Sequence, residues 1–196
     1  IIGGSGSGKS TLMRHMIGLE FPSAGRVYIG RTEITTANET IFFQSLRKIG
    51  VLFQNNALLG SMSIAENVAL PIQQFAGLPE HLIPRIVRAK LSLVGLERFE
   101  NHLPSEISGG MRKRAGLARA LALNPEILFL DEPTSGLDPV TAAEIDELIL
   151  DINRTLGATI AIVTHDLDSI FRVGQRAIML DKNLKSIIAE GDPREL

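Results

Sequence analysis

The run Ile1-Ile2-Gly3-Gly4-Ser5-Gly6-Ser7-Gly8-Lys9-Ser10 constrains this chain more than any other stretch. Gly3, Gly8, Lys9 and Ser10 satisfy G-x-x-x-x-G-K-[ST] without a mismatch, the pattern of a phosphate-binding P-loop. Gly3, Gly4, Gly6 and Gly8, interleaved with Ser5 and Ser7, let the backbone curl until successive N–H groups face a triphosphate, where a Cβ would block the turn. Lys9 brings a positive charge to the β- and γ-phosphates, and Ser10 offers a hydroxyl to Mg²⁺. From Thr11 onward the pattern is helical, so a helix N-terminus also faces the anion. The competing reading is a flexible Gly/Ser linker. A linker does not call for Lys-Ser-Thr followed at once by Leu12-Met13-Arg14-His15-Met16-Ile17-Gly18.

The rest of the composition is that of an ordinary globular protein. The 196 residues are 44% hydrophobic, with a formal net charge of −2 and no cysteine. One sizeable core is expected. The absence of a basic excess argues against nucleic acid as a partner. A disulfide framework and a cysteine-based metal site are excluded. No apolar run approaches the roughly 18 residues needed to span a bilayer, and no signal peptide is apparent; a membrane role is expected to run through a partner. A strand feeding a P-loop needs about 5–6 residues, which Ile1-Ile2 do not supply, so further residues are expected upstream.

Along the chain, Gly8–Ile17 reads as the P-loop helix, stopped by Gly18. Arg26–Ile29 reads as a short strand, Thr35–Thr40 as loop, Ile41–Arg47 as a short helix and Ile49–Phe53 as a buried strand ending at Gln54. Ser63-Ile64-Ala65-Glu66 is a capping box opening a helix toward Phe75. Pro79–Val94 reads as further helix, with Pro84 in an early turn or at a kink. Ile127-Leu128-Phe129-Leu130 is a continuous apolar run, as in a central parallel strand covered on both faces. Asp138 caps the next helix, Pro139 takes its first turn and Gly157 ends it. Its apolar residues Ile145, Leu148, Ile149, Ile152 and Leu156 form one stripe. Ala158–Val163, Arg176–Leu180 and Ser186–Ala189 read as three more buried strands. Strands alternating with helices predict an α/β fold with a mostly parallel sheet. Residues 60–125, mostly helical, read as an α-helical subdomain inserted in a core made of 1–55 and 126–196.

Four features follow the P-loop in order. Leu130-Asp131-Glu132-Pro133 closes the apolar strand. Ligands of open α/β sheets sit beyond the carboxyl ends of strands, so Asp131 is placed beside the P-loop to help hold Mg²⁺, and Glu132 to accept a proton from an attacking water. Two acids in a surface turn are the plain alternative. Ser108-Gly109-Gly110 opens the helix Met111-Arg112-Lys113-Arg114-Ala115. It is a second anion site by type, with a hydroxyl, glycine N–H groups and a helix N-terminus; a simple helix cap is the alternative. Gln54 follows one apolar strand, and His165 follows Ala161-Ile162-Val163-Thr164. His15, His81 and His102 lack such a context and read as surface or helix residues.

In this order the features resemble the nucleotide-binding domain of ATP-binding-cassette (ABC) proteins, over nearly the whole chain. The resemblance implies a P-loop NTPase that binds ATP and Mg²⁺ and hydrolyses ATP. It makes Ser108-Gly109-Gly110 the signature, facing the ATP held by a second copy in a head-to-tail dimer. Ile107 and Met111 depart from the usual Leu-Ser-Gly-Gly-Gln. It makes Gln54 the glutamine that reaches Mg²⁺ or the attacking water, His165 the histidine that contacts the γ-phosphate, and Ser135-Gly136-Leu137-Asp138 an interface loop. Asp138 serves equally as a helix cap. The aromatic on which family members stack adenine belongs to a strand upstream of the P-loop; Tyr28 lies downstream and does not replace it by position.

Within the family, Ser108–Ala120 with its Met111, Gly50–Leu58 and Glu66–Pro71 resemble the ATPases of MCE-type lipid transporters, including the Mla (maintenance of lipid asymmetry, toluene-tolerance) system. That implies a cytoplasmic protein, peripheral on the inner membrane. Its partners would be an integral permease and an MCE-domain protein, and phospholipid or another hydrophobic molecule would be moved. The surface between Gln54 and about Leu103 is the expected socket for a permease helix. Leu58, Leu59 and Met62 would either serve that socket or pack inside the subdomain. The other readings are the ATPase of a nutrient importer or exporter, and a soluble cassette acting on ribosomes or DNA. Soluble cassettes of that kind usually bring a second cassette, coiled-coil arms or a basic surface, none of which is visible here.

Overall fold

The computed structural model describes all 196 residues. Three parallel strands form its centre, in the order β4 (Ile49–Leu52), β5 (Ile127–Asp131), β6 (Thr159–Val163). The first strand, β1 (Ile2–Gly3), runs parallel to β7 (Ala177–Asp181), with Ile2 opposite Met179. Ile1 stitches the two groups together: its N–H donates to the Ile162 carbonyl, and Thr164 N–H donates to the Ile1 carbonyl. That is the bonding of one parallel bridge. The P-loop strand therefore lies between β6 and β7, and the loop that follows it opens beside the carboxyl ends of β5 and β6.

β8 (Ser186–Gly191) pairs antiparallel with β7. It is not the buried strand its composition suggests, since Ile187 and Ile188 remain about half exposed. A small hairpin, β2 (Tyr28–Ile29) with β3 (Thr32–Glu33), stands apart; only its first strand is legible in the sequence.

The helices follow local chemistry. α1 (Lys9–Met16) begins after Gly8, whose φ of 95° is left-handed, and has no side-chain cap. α2 (Glu39–Leu46) opens earlier than expected because Asn38 caps it, accepting from Ile41 N–H. α3 (Ile64–Phe75) carries the expected capping box, with Ser63 and Glu66 satisfying each other's backbone N–H. A 3₁₀ turn at Glu80–Leu82 precedes α4 (Ile83–Leu93), so Pro84 sits in a first turn rather than at a kink. α5 (Gly109–Ala120) is capped by Ser108 and α6 (Pro139–Leu156) by Asp138; Gly157 ends α6 in a left-handed conformation. α7 (Leu167–Val173) was not foreseen: its seven residues are too few for an apolar period to emerge.

The main core joins both parts of the chain. Leu52, Leu128 and Leu130 of the sheet pack with Ile64, Val68 and Ile72 of α3, Leu117 and Leu121 of and beyond α5, and Ile145, Ile149 and Ile152 of α6. Leu148 packs against this core, whereas Leu156 leaves the expected stripe, being 37% exposed at the helix end. A smaller core of Met13, Ile17, Phe129 and Val163 seats α1 on the other face of the sheet. The central strands are thus covered on both sides, which is why β5 is nearly all apolar.

No helix is long and apolar enough to cross a membrane. Of the three histidines without context, His15 Nδ1 lies 3.0 Å from the Glu20 carbonyl oxygen and His81 lies in the 3₁₀ turn. His102 lies outside any helix and is half-buried: its ring lies against Phe99 and its Nδ1 is buried.

Candidate nucleotide site

The P-loop leaves β1 at Gly3 and turns three times through left-handed glycines, with φ of 145° at Gly3, 76° at Gly6 and 95° at Gly8. Gly3 admits no side chain, since a Cβ would lie 2.4 Å from the Leu180 carbonyl oxygen. Gly4 and Gly8 instead face open space, as a cradle for a bulky anion requires. Ser7 N–H closes the turn onto the Gly4 carbonyl. At the start of α1 the N–H groups of Lys9, Ser10 and Thr11 precede the first helical bonds and stay available to a ligand. Lys9 is buried and its ammonium donates to the carbonyls of Gly3 and Gly4, at 2.8 and 3.1 Å. It arches over its own loop.

The ends of β5 and β6 bring Asp131 to this loop and bring Glu132 and His165 together. Ser10 Oγ donates to Asp131 Oδ1 at 3.3 Å, across 121 residues of sequence. Burial pushes the Asp131 carboxyl above its ordinary value, against the pull of the Ser10 hydrogen bond. Glu132 is buried and holds a φ of 50°, unusual for a side chain with a Cβ. Its N–H donates to the Val163 carbonyl at 2.8 Å, which ties the turn after β5 to β6. His165 Nδ1 lies 2.7 Å from Glu132 Oε1, and the carboxylate accepts. The imidazole itself is largely open to solvent. Glu132, Ser135, Gly136, Leu137 and His165 line one open cavity of about 610 Å³.

The remaining expected residues stand elsewhere. The Gln54 side chain is exposed and makes no hydrogen bond; only its carbonyl is tied to the backbone of Glu132, through Lys113. Ser108 Oγ accepts from Met111 N–H as a cap, and no hydrogen bond links Ser108, Gly109 or Gly110 to the P-loop. Gly110 packs so closely on α6 that a Cβ would lie 2.5 Å from Thr141 Cγ2, and Gly109 abuts Leu137. The signature-like loop and the Ser135–Asp138 loop are therefore one packed unit. Met111 is half-buried against the main core.

Three residues went unnoticed in the sequence. Lys113, buried in α5, donates to the carbonyls of Gln54 and Glu132. Burial lowers its pKa, opposed by the charges of Glu132 and Asp131. Arg119 holds the carbonyls of Asn56 and Ala57, two consecutive residues in left-handed conformation. Asn67, fully buried, accepts from Leu59 N–H and donates to the carbonyls of Leu59, Met62 and Ser63. A polar residue on the apolar face of α3 was the available signal for Asn67. Lys113 and Arg119 sat in an ordinary basic helix and carried none. In the loop that Asn67 folds, Leu58 packs against the core and Leu59 is 43% exposed.

Residues 1–135 match the family model described as ABC transporter. The chain is 45% identical over all 196 residues to a probable ribonucleotide transport ATP-binding protein, mkl, of Mycobacterium tuberculosis, covering 54% of it. It is 45% identical over 193 residues to the methionine import ATP-binding protein MetN of Brucella abortus, where 98% of the chain covers 51% of the relative. The chain thus spans about half the length of these relatives. Among solved structures, the ATP-binding cassette MJ0796, a dimer in a post-hydrolysis state bound to ADP and Pi, superposes with a TM-score of 0.87 at 35% identity, covering 98% of this chain and 84% of that one. cbiO1 from Clostridium perfringens, part of the ABC transporter complex cbiONQ, superposes with a TM-score of 0.89 at 32% identity, covering 99% and 76%. The chain belongs to the ABC transporter family and has the fold of its ATP-binding cassette.

Proposed function

We propose that the chain binds ATP on the P-loop and hydrolyses it as the energy-supplying subunit of a transporter. The observation that carries this reading is the 2.7 Å pairing of Glu132 with His165 beside the Ser10–Asp131 contact. The Gly3–Thr11 segment holds the phosphates by its N–H groups, and Lys9 exchanges its own loop carbonyls for the β- and γ-phosphates. Glu132 takes a proton from the attacking water. His165 orients the Glu132 carboxylate and meets the γ-phosphate, and Gln54 swings toward the same water. The Ser10 hydroxyl and Asp131 carboxylate are hard oxygen donors, suited to Mg²⁺, which needs one or two such groups besides phosphate. Bound there with Gln54 nearby, Mg²⁺ would offset phosphate charge.

Two copies act together in this reading. The Ser108-Gly109-Gly110 loop is a second anion site that does not meet its own P-loop, and a head-to-tail pair would place it on the partner's ATP. The dimeric form of MJ0796 supports this arrangement. Residues 1–55 and 126–196 act as the catalytic core, and 60–125 as the subdomain that follows the permease. An apolar groove of about 570 Å³ between α2, β4, α3 and α5, lined by Phe43, Val51, Phe53, Pro71 and Phe75, is where a permease helix would seat on the cytoplasmic face of the inner membrane.

For cargo, the Met111-bearing segment supports phospholipid or another hydrophobic molecule, with an MCE/Mla-type permease and an MCE-domain protein. The similarity to a methionine import and a probable ribonucleotide transport ATP-binding protein supports a second reading as a nutrient importer. The full-length protein should be purified from gently solubilised membranes and its companions identified by mass spectrometry. An integral permease with an MCE-domain protein and phospholipid is the expected result. A permease with a soluble-solute binding protein would replace the lipid reading by the importer reading. Recovery with ribosomes or DNA, without a permease, would overturn transport.

A further inference from the structure

Arg112, Lys113 and Arg114 are consecutive on α5, yet they face three different ways. Arg112 turns back to the Ile107 carbonyl, and Arg114 reaches the Val94 carbonyl and Glu144. Lys113 alone points at the sheet. It is 4% exposed, and its ammonium donates to the Gln54 carbonyl at 2.7 Å and the Glu132 carbonyl at 3.1 Å. Those carbonyls lie just past the carboxyl ends of two neighbouring strands, β4 and β5. One side chain thus bridges the backbones of two residues that the proposed hydrolysis uses.

The Glu132 carbonyl needs holding. A left-handed φ on a residue with a Cβ is strained and persists only where its surroundings over-determine it. Three hydrogen bonds fix the Glu132 peptide groups: N–H to Val163, carbonyl from Ser135 N–H, and carbonyl from Lys113. Only the last carries a charge, and hydrogen bonds to charged groups are the stronger ones. On the other side, α5 packs closely on β4, the strand that leads to Gln54. A Cβ on Gly50 would lie 2.2 Å from the Ala120 carbonyl oxygen, and a Cβ on Gly116 would lie 2.7 Å from Leu52 Cδ1, so helix and strand are in direct backbone contact.

We propose that Lys113 is a positioning residue for hydrolysis: by holding the Gln54 and Glu132 carbonyls on one ammonium, it aims the Glu132 carboxylate and makes the Gln54 segment and Glu132 move together. The proposal rests on the reading of Glu132 as general base. The helix that carries Lys113 begins at Ser108-Gly109-Gly110, so any displacement of that loop reaches Glu132 through Lys113.

The test uses the full-length ATPase in its assembled complex, with Lys113→Met, Glu132→Gln and the double variant compared for ATP turnover and nucleotide affinity. Lys113→Met should lower kcat by about 10²-fold, the scale of a misaimed catalytic group, with KM unchanged. Added to Glu132→Gln it should lower turnover no further, because the group it aims is already gone. Lys113→Gln, neutral but with an N–H donor, should recover part of the loss. Unchanged kcat in Lys113→Met, or losses that multiply fully in the double variant, would overturn the positioning role while leaving Glu132 as the base. Near-normal turnover in Glu132→Gln alone would overturn the base and the proposal with it. If Lys113→Met does not fold, Lys113→Gln in both backgrounds decides by the same comparison.

Discussion

His165 Nδ1 and Glu132 Oε1 lie 2.7 Å apart, although 33 residues separate them, because β5 and β6 are adjacent parallel strands that end level with one another. The acid is buried and the imidazole is exposed. In the proposed mechanism that difference would divide the work: the base would be shielded, while its orienting partner would face the arriving phosphate.

Glu132→Gln keeps the shape of the side chain and removes its basicity. Nucleotide binding should stay intact and hydrolysis should slow by roughly 10²–10⁴, the usual contribution of a general base. Steady-state ATP turnover with a parallel nucleotide titration checks this. Near-normal turnover would remove Glu132 from the role.

Much of this was legible because the chemistry is local. The P-loop, the Ser63–Glu66 capping box and the Asp138 cap each need only neighbouring residues, and each took the conformation its residues specify. The apolar run of β5 announced a strand covered on both faces. What the sequence hid depends on distant partners. Lys113 looks like any solvated lysine until β4 and β5 place two carbonyls before it. Asp146 reads as a polar residue in a helix until α7, itself too short to show a period, brings Ser169 and Arg172 to it. β8 reads as buried because its composition is apolar, yet it forms the outer edge of its sheet.

Gly50 is where α5 meets β4 without a side chain between them. Gly50→Ala would drive a methyl into the Ala120 carbonyl, an overpacking that should cost about 1–3 kcal/mol. Gly60, with nothing within 4 Å of a built Cβ, is the matched control, and Gly60→Ala should stay within about ±0.5 kcal/mol. Urea denaturation of both variants is the measurement. Equal stabilities would mean the α5–β4 contact has room to give.

Asp146 is buried in α6, accepting from Ser169 Oγ at 2.5 Å and from Arg172 at 2.9 Å, and so docks α7 just beyond His165. Asp146→Ala leaves both donors without their partner and should cost about 1–3 kcal/mol. Burial pushes the Asp146 carboxyl above its ordinary 3.8, outweighing Ser169 and Arg172. The folded state therefore holds this proton more tightly than the unfolded state. Its contribution is fully present below the unfolded pKa and is lost as pH rises through the folded one. Asp146→Asn has no such proton. The stability difference between wild type and Asp146→Asn should move against wild type as pH rises from 3.8, then level off. A difference independent of pH would contradict this.

Ser108 is exposed, caps α5 through Met111 N–H and makes no hydrogen bond to its own P-loop. In the two-copy arrangement it faces the partner's ATP, so a long cation there should collide with that interface. Ser108→Arg should block ATP-dependent dimerisation and spare ATP binding by the single chain. The lost cap should cost about 1 kcal/mol, and Ser108→Ala, which loses the cap without adding bulk, isolates that share. Both changes belong in the Glu132→Gln background, where ATP is retained, with mass measured by light scattering. A dimer by Ser108→Ala and a monomer by Ser108→Arg is the expected pair. Dimers of Ser108→Arg with ATP bound would place the contact between copies on some other face.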